Sequence, residues 1–210
     1  MKLGVAYNVF DGEELLESSI KCIRDQVDFI SIIYQTTSWV GKPCHEGLLD
    51  TLADLTDKNL VDATYHYQNP PVNGGTPKAA ELDKRNIGYQ ISMQEFLTHH
   101  MSMDTDEYYV TEEFKNMKNI IEESNADVGI CEIISYFKDP TFQIVPKSNY
   151  GVTTISKVVP QGGFSPQAQF PILVDPTRKT IPSDRVKVFK EDVITMHHMT
   201  SIRRDVRMKL

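Results

Sequence analysis

The first hundred residues alternate between short, apolar, β-branched stretches and longer stretches with helical spacing, and few architectures accept that alternation. Residues 2–7 (Lys-Leu-Gly-Val-Ala-Tyr) read as a short buried strand. Asp11, with Glu14 three positions on, is a capping-box-like helix start, and Leu15, Leu16, Ile20 and Ile23 give that helix its apolar stripe. Residues 28–34, rich in β-branched and aromatic side chains, predict a second strand. The spacing of Leu48, Leu49, Leu52 and Leu55 predicts another helix, and residues 61–67 alternate like a third strand. After the turn-forming loop 69–75, Thr76-Pro77 has the N-cap and first-turn chemistry of a long helix. It runs to about Leu97, with Ile87, Ile91 and Phe96 on its buried side. Residues 98–103 then form a strand that ends at Asp104-Thr105-Asp106. Strands separated by helices imply right-handed crossovers and a mostly parallel central sheet flanked by helices, an α/β fold.

The second half changes character. Thr111 caps a helix with Glu112 and Glu113 in its first turn and Phe114, Met117, Ile120 and Ile121 inward, and residues 128–137 form another strand. From 138 to 185 the chain is Pro- and Gly-rich, with short β-like pieces such as 170–174, so an irregular C-terminal half with little helix is expected. Residues 193–196 look like a strand that delivers His197-His198 into a turn. A basic tail follows, with Arg203, Arg204, Arg207 and Lys209 against Asp205. At 210 residues, one domain is expected over 1–210, with its first half at 1–110 and its second at 111–210.

A formal net charge of −7 excludes a broad nucleic-acid surface, so anions must be bound locally. The N-terminus turns polar too early for a secretion signal, and no apolar run approaches the roughly 20 residues that span a bilayer. Cys22, Cys44 and Cys131 are odd in number and widely spaced, which suits neither disulfides nor a structural zinc site. A reducing, cytoplasmic location is expected.

Asp104-Thr105-Asp106-Glu107 is placed just past the carboxyl end of a strand, where open α/β sheets hold their ligands. Carboxylates two positions apart can converge on Mg²⁺ or Mn²⁺, although a solvated acidic turn has the same sequence. Lys84-Arg85-Asn86, on the preceding helix, offers two cations and an amide donor to a diphosphate, or an exposed helix face. One of His197 and His198 can complete a metal shell, and the arginines after them can neutralise a leaving phosphate. Of His99 and His100, one is expected to pack in the core. Trp39 either stacks on a sugar or base or covers the sheet edge.

These blocks together resemble GT-A type glycosyltransferases, with their Rossmann-like sheet, and within them the small family-2-like proteins of bacteria and their phages. The resemblance rests on residues 2–34, on Lys84-Arg85-Asn86-Ile87-Gly88, on residues 100–109 around Asp104-Thr105-Asp106, and on Met196-His197-His198-Met199 with Arg203-Arg204-Asp205. It implies a metal-dependent transfer of a sugar from a UDP- or GDP-linked donor to a carbohydrate or other acceptor. Asp104 and Asp106 would bind the metal, with His197 or His198 as a further ligand. Lys84, Arg85 and Arg203 would meet donor phosphates or sugar, and Tyr7 and Asn8 would line the nucleoside pocket. Stabilising the charge that builds on the leaving nucleoside diphosphate is the chemistry such a set performs.

The chain departs from that pattern in two places. Tyr34 is followed by Gln35-Thr36-Thr37 where many members carry a base-reading Asp, and the acceptor-side acid has no clear match: Glu132, Asp175 and Asp192, in Glu191-Asp192, are the acidic candidates. Two other readings stay open. A nucleotidyltransferase or phosphohydrolase would use the same carboxylates, although the former would normally carry a Gly-rich phosphate loop. A binding protein of the same fold would have lost the chemistry.

Overall fold

The computed structural model describes residues 1–38, 41–68 and 76–203. Trp39, the loop 69–75 and the tail cations Arg204, Arg207 and Lys209 lie outside the described residues. In chain order the elements are β1 (Leu3–Val9), α1 (Glu13–Ile23), β2 (Phe29–Tyr34), α2 (Leu48–Asp57), β3 (Ala63–His66), α3 (Pro77–Gln94), β4 (His99–Asp104) and β5 (Glu107–Tyr108). Then come α4 (Thr111–Ser124), β6 (Val128–Phe137), β7 (Asp139–Gln143), β8 (Val152–Lys157), β9 (Gly163–Phe164), β10 (Thr180–Ile181), β11 (Val186–Val188) and β12 (Thr195–Ser201). Short 3-10 turns occupy Arg24–Gln26 and Pro176–Arg178.

A ten-stranded sheet has the order β3-β2-β1-β4-β8-β6-β12-β5, with β7 and β11 also paired to β6. From β3 to β4 every ladder is parallel, as helical crossovers require. Beyond β4 the sheet is mixed: β8 lies antiparallel between β4 and β6, while β12 runs parallel to β6 and antiparallel to β5. Among the described residues no α-helix follows α4, so β8, which fills the gap between β4 and β6, is not held parallel by a helical crossover, while β11 and β12 rejoin β6 in parallel through irregular chain.

The period of two along β1 and β4 sorts side chains into two layers. Leu3, Val5, Tyr7 and Val9 of β1, with Met101 and Met103 of β4, enter the main core with Leu16, Ile20 and Ile23 of α1, Leu48, Leu52 and Leu55 of α2, and Phe114, Met117 and Ile121 of α4. On the other face Ala6 joins Ile33 and Tyr67, with Ile87 and Ile91 of α3 packed against them. Gly88 makes that approach possible, because a Cβ there would sit 2.4 Å from the Ala6 Cβ. Thr76 caps α3 by accepting a hydrogen bond from the Ala79 amide at 3.2 Å.

Several local expectations change. Phe96 is 87% exposed at a positive φ just past α3, so it is not on the buried side. Asp11 does not cap α1; Gly12, at φ +76°, occupies that position. Thr111 is the first residue of α4 and its hydroxyl donates to the Cys22 carbonyl instead of capping. Residues 170–174 form no strand beyond a single bridge from Val174 to Gly151. His197 and His198 lie within β12, not in a turn after it. No helix among the described residues is long and apolar enough to cross a membrane.

Candidate active site

The same period of two that buries Met101 and Met103 turns His100, Ser102 and Asp104 toward α3. Register places Asn8 beside Asp104 at the carboxyl ends of β1 and β4. The turn Thr105-Asp106 then reverses the chain into β5, and the Met199 amide of β12 donates to the Asp106 carbonyl at 2.7 Å. His198 is brought over the turn by its pairing opposite Glu107.

Arginines saturate these carboxylates. Arg85, only 1% exposed, donates to Ser102 Oγ at 2.8 Å, to Glu81 Oε1 at 2.6 Å and to both Asp104 oxygens at 3.3 Å. Arg178, at the end of the 3-10 turn that Asp175 caps, donates to Asp104 Oδ2 at 2.6 Å and grips both oxygens of Glu107. Burial by itself raises the Asp104 carboxyl, but Arg85 and Arg178 outweigh it and hold that group at about 2. Arg203 bridges Asp11 Oδ1 at 2.8 Å and Asp106 Oδ2 at 2.7 Å, and His198 Nε2 lies 3.6 Å from Asp106 Oδ1.

A cleft of about 500 Å³ opens on this group, lined by Asn8, Lys84, Asp104, Asp106, His198 and Arg203 together with Phe10, Asp11, Gln35, Ser38 and Glu81. A second cavity of about 360 Å³ shares Glu81, Asp104 and His198 with it and continues past Asp175, Arg178, Ser135 and Tyr150. Desolvation lowers the Lys84 ammonium below its ordinary range, so a charge partner such as a phosphate would suit it.

The structure thus gathers Asn8, Lys84, Asp104, Asp106, His198 and Arg203 and leaves the other expected residues elsewhere. Tyr7 is fully buried with its hydroxyl 3.0 Å from Ser19 Oγ, because its strand position faces the main core. Arg85 points beneath Asp104 instead of into the cleft, and Asn86 is bonded to the Phe164 backbone. Successive helical residues point about 100° apart, so only Lys84 of the three reaches the opening. His197 faces away, with Nδ1 2.7 Å from the Tyr136 hydroxyl. Glu132, exposed on β6 and 4.0 Å from Lys147, and Asp192, exposed in the turn before β12, line neither cavity. The site roles of Asp11, read only as a helix start, and of Arg178 escaped the sequence reading because their partners are remote in the chain, and Glu81 escaped it although its partner Arg85 lies one helical turn away. Asp175-Pro176 carried the one usable signal, an Asp cap followed by proline.

No family model matches the chain, and no curated protein matches its sequence. Solved structures do. S. aureus TarS 1-349 in complex with UDP-GlcNAc superposes with a TM-score of 0.59 at 13% identity, covering 98% of this chain and 59% of that one. The same protein in complex with UDP gives 0.58 at 11%, covering 95% and 60%. GalNAc-T7 with UDP, GalNAc and Mn²⁺ gives 0.57 at 13%, covering 97% and 44%. The fold is therefore GT-A, with the partly antiparallel sheet described above. The chain spans about six tenths of the TarS 1-349 structures and less than half of GalNAc-T7.

Proposed function

We propose that this chain is a glycosyltransferase that moves a sugar from a nucleoside-diphosphate sugar to an acceptor. The observation that carries the reading is the pair of cavities meeting at Asp104 and His198, since a transfer needs two substrates in contact at one point. The similar GT-A structures hold UDP, UDP-GlcNAc, or UDP with GalNAc and Mn²⁺, which supports a nucleotide-sugar donor, and the larger cleft, with the cationic Lys84 and Arg203, suits its diphosphate.

In this reading Phe10, Gln35 and Ser38 line the nucleoside end, and Lys84 and Arg203 meet the diphosphate. Asp104, Asp106 and His198 would hold Mn²⁺ or Mg²⁺. Among the described residues no three His, Cys, Asp or Glu already stand as a metal site. The donor types nevertheless fit, two carboxylates and an imidazole, and a guanidinium cation already lies against Asp106. Such an ion supplies charge stabilisation to the departing diphosphate. Arg85 and Arg178 keep Asp104 ionised and oriented. Asp175 is the acceptor-side base: it lines the second cavity, and its Oδ1 is fixed by Thr177 at 2.8 Å from both amide and hydroxyl.

The test is a screen of UDP- and GDP-sugars with Mn²⁺ or Mg²⁺, following release of the nucleoside diphosphate. At least one donor is expected to be turned over. Asp104→Asn should lower the rate by two or more orders of magnitude, and Asp175→Asn should affect transfer more than donor binding. Donor binding without turnover by any acceptor class would favour a binding protein, and no donor binding would remove the proposal.

A further inference from the structure

Arg203 sits against Asp106 as a cation would. Its Nη2 is 2.7 Å from Oδ2, and His198 Nε2 faces Oδ1 at 3.6 Å. Both Arg203 and Asp106 side chains are nearly sealed, at 6% and 3% exposure. The loop after β1 is shaped around the guanidinium. Gly12 adopts a left-handed φ of +76°, and a Cβ there would lie 2.6 Å from Thr105 Oγ1, 2.9 Å from Arg203 Nη1 and 3.1 Å from its Cζ. Asp11, next to it, holds the opposite edge through Nη1 at 2.8 Å. The third nitrogen of the group, Nε, is buried without a partner. A guanidinium fixed on two sides and unsatisfied on the third is held in place by its two carboxylates, not by a complete hydrogen-bond shell.

We infer that Arg203 is an exchangeable internal counter-ion of Asp106: a divalent cation and the Arg203 guanidinium occupy the same carboxylate in turn, and Asp11 is the positioning residue that holds Arg203 in the cation-free form. This rests on the reading of Asp106 and His198 as cation-binding groups. The physical ground is charge. Asp106 is too buried to stand unpaired, so some cation must accompany it in every state. One already built into the chain raises the concentration of metal needed to replace it. When the metal enters, Arg203 loses its anchor on Asp106.

The experiment titrates Mn²⁺ alone, without nucleotide, into the full chain by calorimetry, with free Mn²⁺ followed by electron paramagnetic resonance. Arg203→Gln is expected to bind Mn²⁺ at least tenfold more tightly than the unaltered chain. Asp11→Asn, which leaves Arg203 present but unanchored, is expected to bind several-fold more tightly, and thermal melts establish that each variant is folded. Mn²⁺ should also accelerate tryptic cleavage after Arg203 in the unaltered chain. Equal or weaker Mn²⁺ binding in both Arg203→Gln and Asp11→Asn overturns the exchange. Asp106→Asn separates the two levels. If it abolishes Mn²⁺ binding while Arg203→Gln changes nothing, the cation reading stands and the exchange falls. If it binds Mn²⁺ as tightly as the unaltered chain, both fall.

Discussion

His100 stands two residues before Ser102 on the face of β4 that supports the site, and it shows how strongly that face depends on burial. Its imidazole is fully buried beside Tyr89 and Phe164, with Nδ1 2.8 Å from Ser92 Oγ. Burial, reinforced by the Arg85 charge, depresses it from 6.5 to about 3. Between those values the unfolded chain binds a proton that the folded chain refuses, so stability falls as the pH drops from about 6.5 toward 3. Over the interval from pH 6.5 to 5 this group contributes a loss on the order of 2 kcal/mol. Urea unfolding at the two pH values should show that loss in the unaltered chain and a smaller one in His100→Leu; an equal loss in both would assign the effect to other groups. The position of Asp104 and Asp106 just at the carboxyl end of a strand was readable in the sequence, because the local strand pattern carries it. The site roles of Arg178 and Asp11 were not readable, since these residues acquire them only from Glu107, Asp104 and Arg203 across the fold.

Among the elements, α3 does the most to position the cleft. It supplies Lys84 to the opening and Arg85 to the floor, and it can lie close to β1 because Gly88 meets Ala6. Gly88→Ala sets two effects against each other. Helix propensity favours alanine by about 1 kcal/mol, whereas forcing a methyl to 2.4 Å from the Ala6 Cβ costs about 1–3 kcal/mol through overpacking. The second should win, giving a lower denaturation midpoint and a displaced Arg85; a neutral or stabilised variant would mean that the helix stands off with little penalty. The start of α3 was legible because Thr76-Pro77 is local chemistry. Phe96 was misplaced because helical periodicity was extended two residues past Gln94, the last helical residue, and a positive φ there swings the side chain to solvent.

At the scale of the molecule, one ten-stranded sheet carries both halves of the site, and its two regions differed in how plainly the sequence spoke. The parallel strands β1 to β4 alternate with helices, a period visible along the chain. The antiparallel insertion of β8 between β4 and β6 depends on pairings remote in sequence, and nothing in the spacing of residues 138–185 encodes it. Because β1, β4 and β12 of one sheet and α3 packed on it all line the larger cleft, filling it should stabilise the whole molecule. A nucleoside diphosphate with Mn²⁺ at a hundred times its dissociation constant adds about 2.7 kcal/mol, or roughly 5–10 °C in Tm for a chain of this size. A shift seen with nucleotide but unaffected by Asp106→Asn would detach the carboxylate from ligand binding. Strand order also bears on biosynthesis. Since β12 is slotted between β6 and β5, and brings His198, a ribosome that has not yet reached β12 holds a polypeptide whose cleft lacks one wall. Such a nascent chain cannot close the cleft until that strand emerges.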